Sequence, residues 1–128
     1  MRFLLDTHTF IWFVTDSPRL SDRVKQLIED DYNEKLLSPA SIWEMAIKHS
    51  VGKLNFGTPF PQFIERQIGL NSMDLLPIEI SHINVVSTLD LHHRDPFDRL
   101  LISQALVENM PILSVDEAFD AYPIRRIW

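Results

Sequence analysis

The chain reads as an α/β sandwich with a mainly parallel central sheet. Short apolar runs rich in β-favouring residues alternate with stretches of helical period, and capping residues or prolines mark most of the changes. The two clearest runs end alike, Phe3-Leu4-Leu5 on Asp6 and Ile112-Leu113-Ser114-Val115 on Asp116. In such sheets the ligand crevice lies at the carboxyl ends of the strands, so both aspartates are expected there.

Taken in order, residues 2–5 form the first strand and residues 9–14 a helix. Ser21 is an N-cap for a second helix carrying Val24, Leu27 and Ile28. Residues 35–37 give a short strand, after which Ser38-Pro39 supplies an N-cap and first-turn proline. That helix places Trp43, Ala46 and Ile47 on one apolar stripe and ends at Gly52. Between Gly57 and Gly69, Phe60, Phe63, Ile64 and Ile68 recur at helical spacing, entered through Pro59 and Pro61. Residues 74–77 form a third strand, and Ser81 caps a helix of Ile83, Val86 and Leu89. Beyond a polar loop around His92-His93, Asp95-Pro96 opens the helix of Leu100, Leu101, Ala105 and Leu106. Residues 112–115 are the next strand, and residues 124–127 an edge strand.

At 128 residues, with no repeat or low-complexity tract, the whole span 1–128 is expected to be one domain with a real core. There is no cysteine, which removes disulfides and thiolate metal sites. The apolar stretch after Met1 is interrupted by Asp6, Thr7, His8 and Thr9, so it reads as strand and helix rather than signal peptide or membrane span. The expectation is a cytoplasmic protein without membrane contact. A net charge of −6 opposes broad capture of nucleic acid. A nucleic-acid role needs local compensation, from divalent cations and from bases such as Lys48, Lys53, Arg94, Arg99, Arg125 and Arg126, each of which alone reads as a solvated surface charge.

Four acids, Asp6, Glu44, Asp98 and Asp116, can meet at one sheet edge if the strands are neighbours. Each also has a plain structural explanation. Asp95, Pro96 and Asp98 suit N-cap, N1 and N3 of one helix, Glu44 completes a capping box if its helix starts at Ser41, and Asp116 can cap a short helix of Ala118 and Phe119. Yet Asp98 shares a helical face with Leu101, Ile102 and Ala105, so it turns inward with them. Two carboxylates ~5 Å apart repel by about 3 kcal/mol at an effective dielectric near 20. A proton or a cation must relieve that repulsion. A hard ion such as Mg²⁺ or Mn²⁺ suits oxygen ligands and also binds phosphate, which points to metal-assisted phosphodiester hydrolysis.

These residues resemble those of PIN-domain ribonucleases, in particular the VapC-type toxins of toxin-antitoxin pairs. The likeness rests on Leu4-Leu5-Asp6-Thr7-His8, on Ser41-Ile42-Trp43-Glu44-Met45-Ala46-Ile47-Lys48, on His93-Arg94-Asp95-Pro96-Phe97-Asp98-Arg99-Leu100-Leu101-Ile102 and on Leu113-Ser114-Val115-Asp116, in the family's order. It implies a PIN-like three-layer sandwich. It places the family's acids on Asp6, Glu44, Asp98 and Asp116, with Thr7, Asp95 and Ser114 in support. It further implies an endoribonuclease that uses one or two Mg²⁺ or Mn²⁺ ions, leaves 5′-phosphate and 3′-hydroxyl ends, and acts as a translation-inhibiting toxin. The partners it implies are an RNA substrate, a cognate antitoxin and a second copy in a homodimer.

Other readings compete. Phe10, Trp12, Phe13 and Trp43 can stack bases, but their helical spacing favours core or subunit interface. His92-His93 is a poor metal pair because adjacent side chains diverge, and none of the five histidines is given a direct role. A receiver domain fails for want of a second acid beside Asp6 and of any lysine beyond Lys53, and an aspartate-nucleophile phosphatase fails because His8 stands where its second aspartate belongs. The remaining alternative is a catalytically silent PIN-like interaction or regulatory module.

Overall fold

Five strands lie side by side in the order β3-β2-β1-β4-β5, and every pairing is parallel. The structure is a computed structural model describing residues 1–128. Along the chain run β1 (Arg2–Leu5), α1 (Thr7–Val14), α2 (Asp22–Glu29), β2 (Glu34–Leu37), α3 (Pro39–Ser50), α4 (Phe60–Leu70), β3 (Asp74–Leu75), α5 (Ile80–Thr88), α6 (Pro96–Glu108), β4 (Ile112–Leu113), a 3₁₀ turn (Glu117–Ala121) and β5 (Arg126–Ile127). The expected α/β architecture is therefore present, with helices on both faces of the sheet.

Strand alternation divides the core in two. Phe3 and Leu5 face a cluster with Phe10, Val24, Ile28, Leu37 and Met45, whereas Leu4 joins Leu36, Leu101, Ile102, Ile112 and Phe119 on the opposite side. In β1, Phe3, Leu4 and Leu5 are fully buried, as suits the central strand of a parallel sheet. The chain builds outward from β1 in one direction through β2 and β3, then returns to the other flank as β4 and β5. The gap between β1 and β4 is thus the point where strand order reverses, and its carboxyl end is the natural crevice.

Most expected boundaries shift by one or two residues. Ser21 caps α2 and Ser38 caps α3, with Pro39 in its first turn, as the sequence suggests. Two helix faces are corrected. On α3 the buried residues are Ala40, Ser41 and Met45, while Trp43 and Ile47 turn outward, at 63% and 41% exposure. Trp43 instead meets Phe97 edge-on, with ring centroids 5.1 Å apart. On α5, Ser81 is not the cap: Glu79 is, with the His82 ring accepting the Glu79 N–H at 3.0 Å in a reciprocal box. His82 is fully buried and Ile83 exposed, because α5 packs on α6 through its histidine rather than through Ile83. Strand β3 is shorter than expected, ending at Leu75, and β4 ends at Leu113, so Ser114 and Val115 belong to the loop.

Phe10 is wholly buried beneath β1. Phe10→Ala is expected to lower unfolding free energy by about 3–5 kcal/mol, read as the shift of the urea midpoint.

Candidate active site

Asp6 leaves β1 and immediately caps α1, its Oδ1 accepting the Thr9 N–H at 2.8 Å. The Thr9 hydroxyl donates to the Leu113 carbonyl at 2.9 Å and the Asp6 N–H donates to the same carbonyl at 3.2 Å, so the start of α1 is stitched to the end of β4. Asp6 is 4% exposed. Burial raises its pKa above the usual carboxylate value, against the opposing pull of hydrogen bonds from Ser114 and Thr9. Ser114, itself fully buried, also accepts the Asp116 N–H at 3.0 Å and so links the two aspartates.

Glu44 enters from α3. Because that helix begins at Pro39, Glu44 lies in its second turn and the capping-box explanation does not apply. The Thr7 hydroxyl donates to Glu44 Oε1 at 2.7 Å and also touches the Ser41 hydroxyl at 3.0 Å. Lys48, one turn further along α3, pairs with Glu44 Oε2 at 3.1 Å.

Asp98 comes from the first turn of α6. Asp95 caps that helix, accepting the N–H groups of Phe97 and Asp98 at 2.8 and 3.0 Å. With Leu101, Ile102 and Ala105 buried below it, Asp98 leans inward as its shared face requires. Burial pushes its pKa up to about 7, aided by the charges of Asp95, Asp6 and Glu44 and opposed by His93. The carboxylates of Asp6 and Glu44 therefore share the electrostatic environment of Asp98.

Asp116 caps the 3₁₀ turn, its Oδ1 accepting the Ala118 N–H at 2.9 Å. It reaches the other acids through a residue given no role from sequence. His93 Nε2 lies 3.1 Å from Asp98 Oδ2 and 3.3 Å from Asp116 Oδ2, and these three ligand atoms are mutually within 4.8 Å. His92 and His93 diverge as adjacent side chains do: His92 turns aside to meet the Tyr122 ring, and His93 alone enters the acid cluster. Of the six bases expected to greet nucleic acid, three are committed internally: Lys48 to Glu44, Arg99 to the carbonyls of Leu89, Asp90 and His93, and Arg126 to Asp120 and the Ser114 carbonyl. Lys53, Arg94 and Arg125 are exposed.

A crowding of acids at a strand-order reversal narrows the class of fold considerably. The PIN domain family matches residues 3–124, and the chain belongs to that family. Solved structures agree in fold. VapBC2 from Rickettsia felis, bound to a fragment of promoter DNA, matches at 16% identity and a TM-score of 0.73, covering 99% of this chain and 98% of that one. FitAcB from Neisseria gonorrhoeae matches at 18% identity and a TM-score of 0.67, covering 98% and 96% respectively. VapBC-1 from nontypeable Haemophilus influenzae matches at 20% identity and a TM-score of 0.66, covering 99% and 97%. No curated protein matches the sequence significantly.

An acid whose folded pKa lies above its unfolded value keeps a proton that the unfolded chain has released. Its contribution to stability therefore falls as pH rises from 3.8 towards 7. Asp98→Asn removes that penalty. In chelator at pH 8 the variant is expected to be more stable than the parent by about 1–3 kcal/mol, with the difference closing as pH approaches 4, as followed by denaturant unfolding.

Proposed function

We propose that this PIN domain is a metal-dependent endoribonuclease and the toxin of a toxin-antitoxin pair. The observation that carries this reading is the gathering of acids at one sheet edge, with Asp98 and Asp116 both within 3.3 Å of His93 Nε2, Ser114 linking Asp116 to Asp6, and Thr7 beside Asp6 holding Glu44, a crowding of oxygen ligands that a divalent cation would relieve. The fit to Mg²⁺ or Mn²⁺ rests on that donor chemistry: carboxylates, with no thiolate in the chain. PIN domains are generally nucleases, which supports the reaction class.

In this reading Asp6, Glu44 and Asp98 would hold one or two ions, with Asp116 completing the site. A bound divalent ion supplies an activated water and stabilises charge developing on the phosphoryl and leaving oxygens. The chain's own work is positional. The Thr9 amide holds Asp6 through one oxygen, Thr7 and Lys48 fix the two oxygens of Glu44, and Ser114 ties Asp6 to the loop that carries Asp116. The protein supplies no nucleophile. Asp95, spent on two backbone amides, supports the site as a helix cap.

The test is cleavage of total RNA in Mg²⁺, with end mapping. Asp6→Asn should lose activity by at least about 10²-fold while folding normally, since asparagine is an equally good N-cap. Undiminished cutting by that variant would reject the reading. Titration calorimetry with Mn²⁺ separates the enzyme from a silent interaction module, which would give no site-specific heat.

Partners follow from the same reading. The chain matches a chain in each of the VapBC2, FitAcB and VapBC-1 structures, which supports a cognate antitoxin as the partner here. A homodimer is supported by a partly exposed apolar groove of Ile42, Phe60, Ile64, Ile68 and Leu75 between α3 and α4. Light scattering at low micromolar concentration should give about twice the 15.0 kDa of one chain. The fold holds no helix long and apolar enough to cross a membrane.

A further inference from the structure

His93 Nε2, Asp98 Oδ2 and Asp116 Oδ2 stand close enough together to hold a cation, and a histidine between two aspartates invites that assignment. The other side of the ring argues against it. Nδ1 lies 3.2 Å from the backbone N–H of Asp95. A backbone amide can only donate, so Nδ1 must present its lone pair, and the ring's proton resides on Nε2. A metal-ligating imidazole needs the reverse: a lone pair on the metal side and an N–H donated away from it to a carboxylate, carbonyl or water. Here the nitrogen facing the acids is the donor.

The ring is held in that attitude from the backbone outward. The His93 N–H donates to Tyr122 Oη at 2.9 Å, and the His93 carbonyl accepts from Arg99 Nη1 at 3.1 Å. Tyr122 also accepts the His92 N–H at 3.0 Å and donates to the Asp90 carbonyl at 2.7 Å, while Arg99 takes the Leu89 and Asp90 carbonyls at 3.0 Å each. Both main-chain groups of His93 are thus occupied, and its ring leans on buried Phe119 at 5.8 Å. Presenting Nδ1 to a proton donor cannot be relieved by shifting the loop without breaking these bonds.

We propose that His93 is a positioning residue and not a metal ligand: its Nε2–H clamps Asp116 Oδ2, with Asp98 Oδ2 alongside at 3.1 Å, and cation binding is left to the acids themselves. The clamp joins the loop that leads into α6 to the loop after β4. It couples Asp116, whose Oδ1 is already spent on the Ala118 amide, to the Asp6, Glu44 and Asp98 group. The inference rests on the reading of those acids as a cation site, but the tautomer that carries it is a property of the chain alone.

Two-bond ¹H–¹⁵N correlation spectra of the metal-free, histidine-labelled chain, with His93→Gln identifying the resonance, should show a bare Nδ1 and a protonated Nε2. A proton on Nδ1 would overturn the proposal. With Mn²⁺ loaded, electron spin echo spectra should contain no ¹⁴N coupling that disappears in His93→Gln, and finding one would equally overturn it. By calorimetry, His93→Ala should weaken Mn²⁺ binding about 10–100-fold, and His93→Gln, which keeps an N–H donor, should restore most of it. Parental affinity in His93→Ala would count against the clamp. If the parent chain takes up no Mn²⁺ at all, the ribonuclease reading falls, while the imidazole spectrum still decides the tautomer.

Discussion

Negative charge held out of water at the carboxyl end of β1 and β4 is the constraint to which the surrounding structure answers. The fold meets part of it with its own backbone. Asp6, Asp95 with Asp98, and Asp116 each stand at the N-terminus of a helix or 3₁₀ turn, where amide N–H groups point outward and the peptide dipoles favour anions. Each such placement contributes about 0.3–1 kcal/mol, against about 3 kcal/mol for one pair of carboxylates at close range. Helix termini alone therefore fall short. Lys48 and His93 add a cation and an N–H donor, and Asp98 still retains its proton up to about pH 7. What remains is a crowding of carboxylates that these groups relieve only in part.

Capping fixes the direction of such acids. A capping carboxylate uses one oxygen on the backbone and leaves the second free of that duty. Asp6 and Asp116 follow this pattern, each accepting a backbone amide through Oδ1. Asp95 departs from it, since its Oδ1 takes two amides and its part is to orient α6 beneath Asp98. Glu44 departs in the other direction. It lies inside α3, has no capping duty, and owes its position to Thr7 and Lys48.

The sheet and the acids were legible in the sequence because both depend on local signals. Apolar runs ending on Asp6 and Asp116 mark strand exits, and Asp95-Pro96 marks a helix start whatever the tertiary fold. The errors fall where a local pattern has two tertiary solutions. Trp43 and Ile47 form an apolar stripe at correct helical spacing, yet α3 buries the neighbouring face of Ala40, Ser41 and Met45, because that face carries the Ser41 hydroxyl to Thr7. Ser81 looked like a cap, but Glu79 and His82 close a box two residues earlier. His93 was unreadable for a different reason: its contact with Asp116 spans 23 residues of sequence, and nothing in the intervening chain encodes that distance. Arg99 and Arg126 likewise resembled surface bases until their carbonyl partners became visible.

Preorganisation explains where the fold spends its remaining polar groups. β1 ends at Leu5 and β4 at Leu113, so Asp6 and Asp116 leave the sheet on connecting segments, and such segments hold geometry poorly unless their backbone is tied. Three ties act here. Thr9 binds the α1 start to Leu113, the Arg126 guanidinium grips both Asp120 oxygens and the Ser114 carbonyl, and Tyr122 with Arg99 fixes residues 89–93. None of these groups needs to touch substrate. Their common effect is that carboxylates which repel one another are kept from relaxing apart.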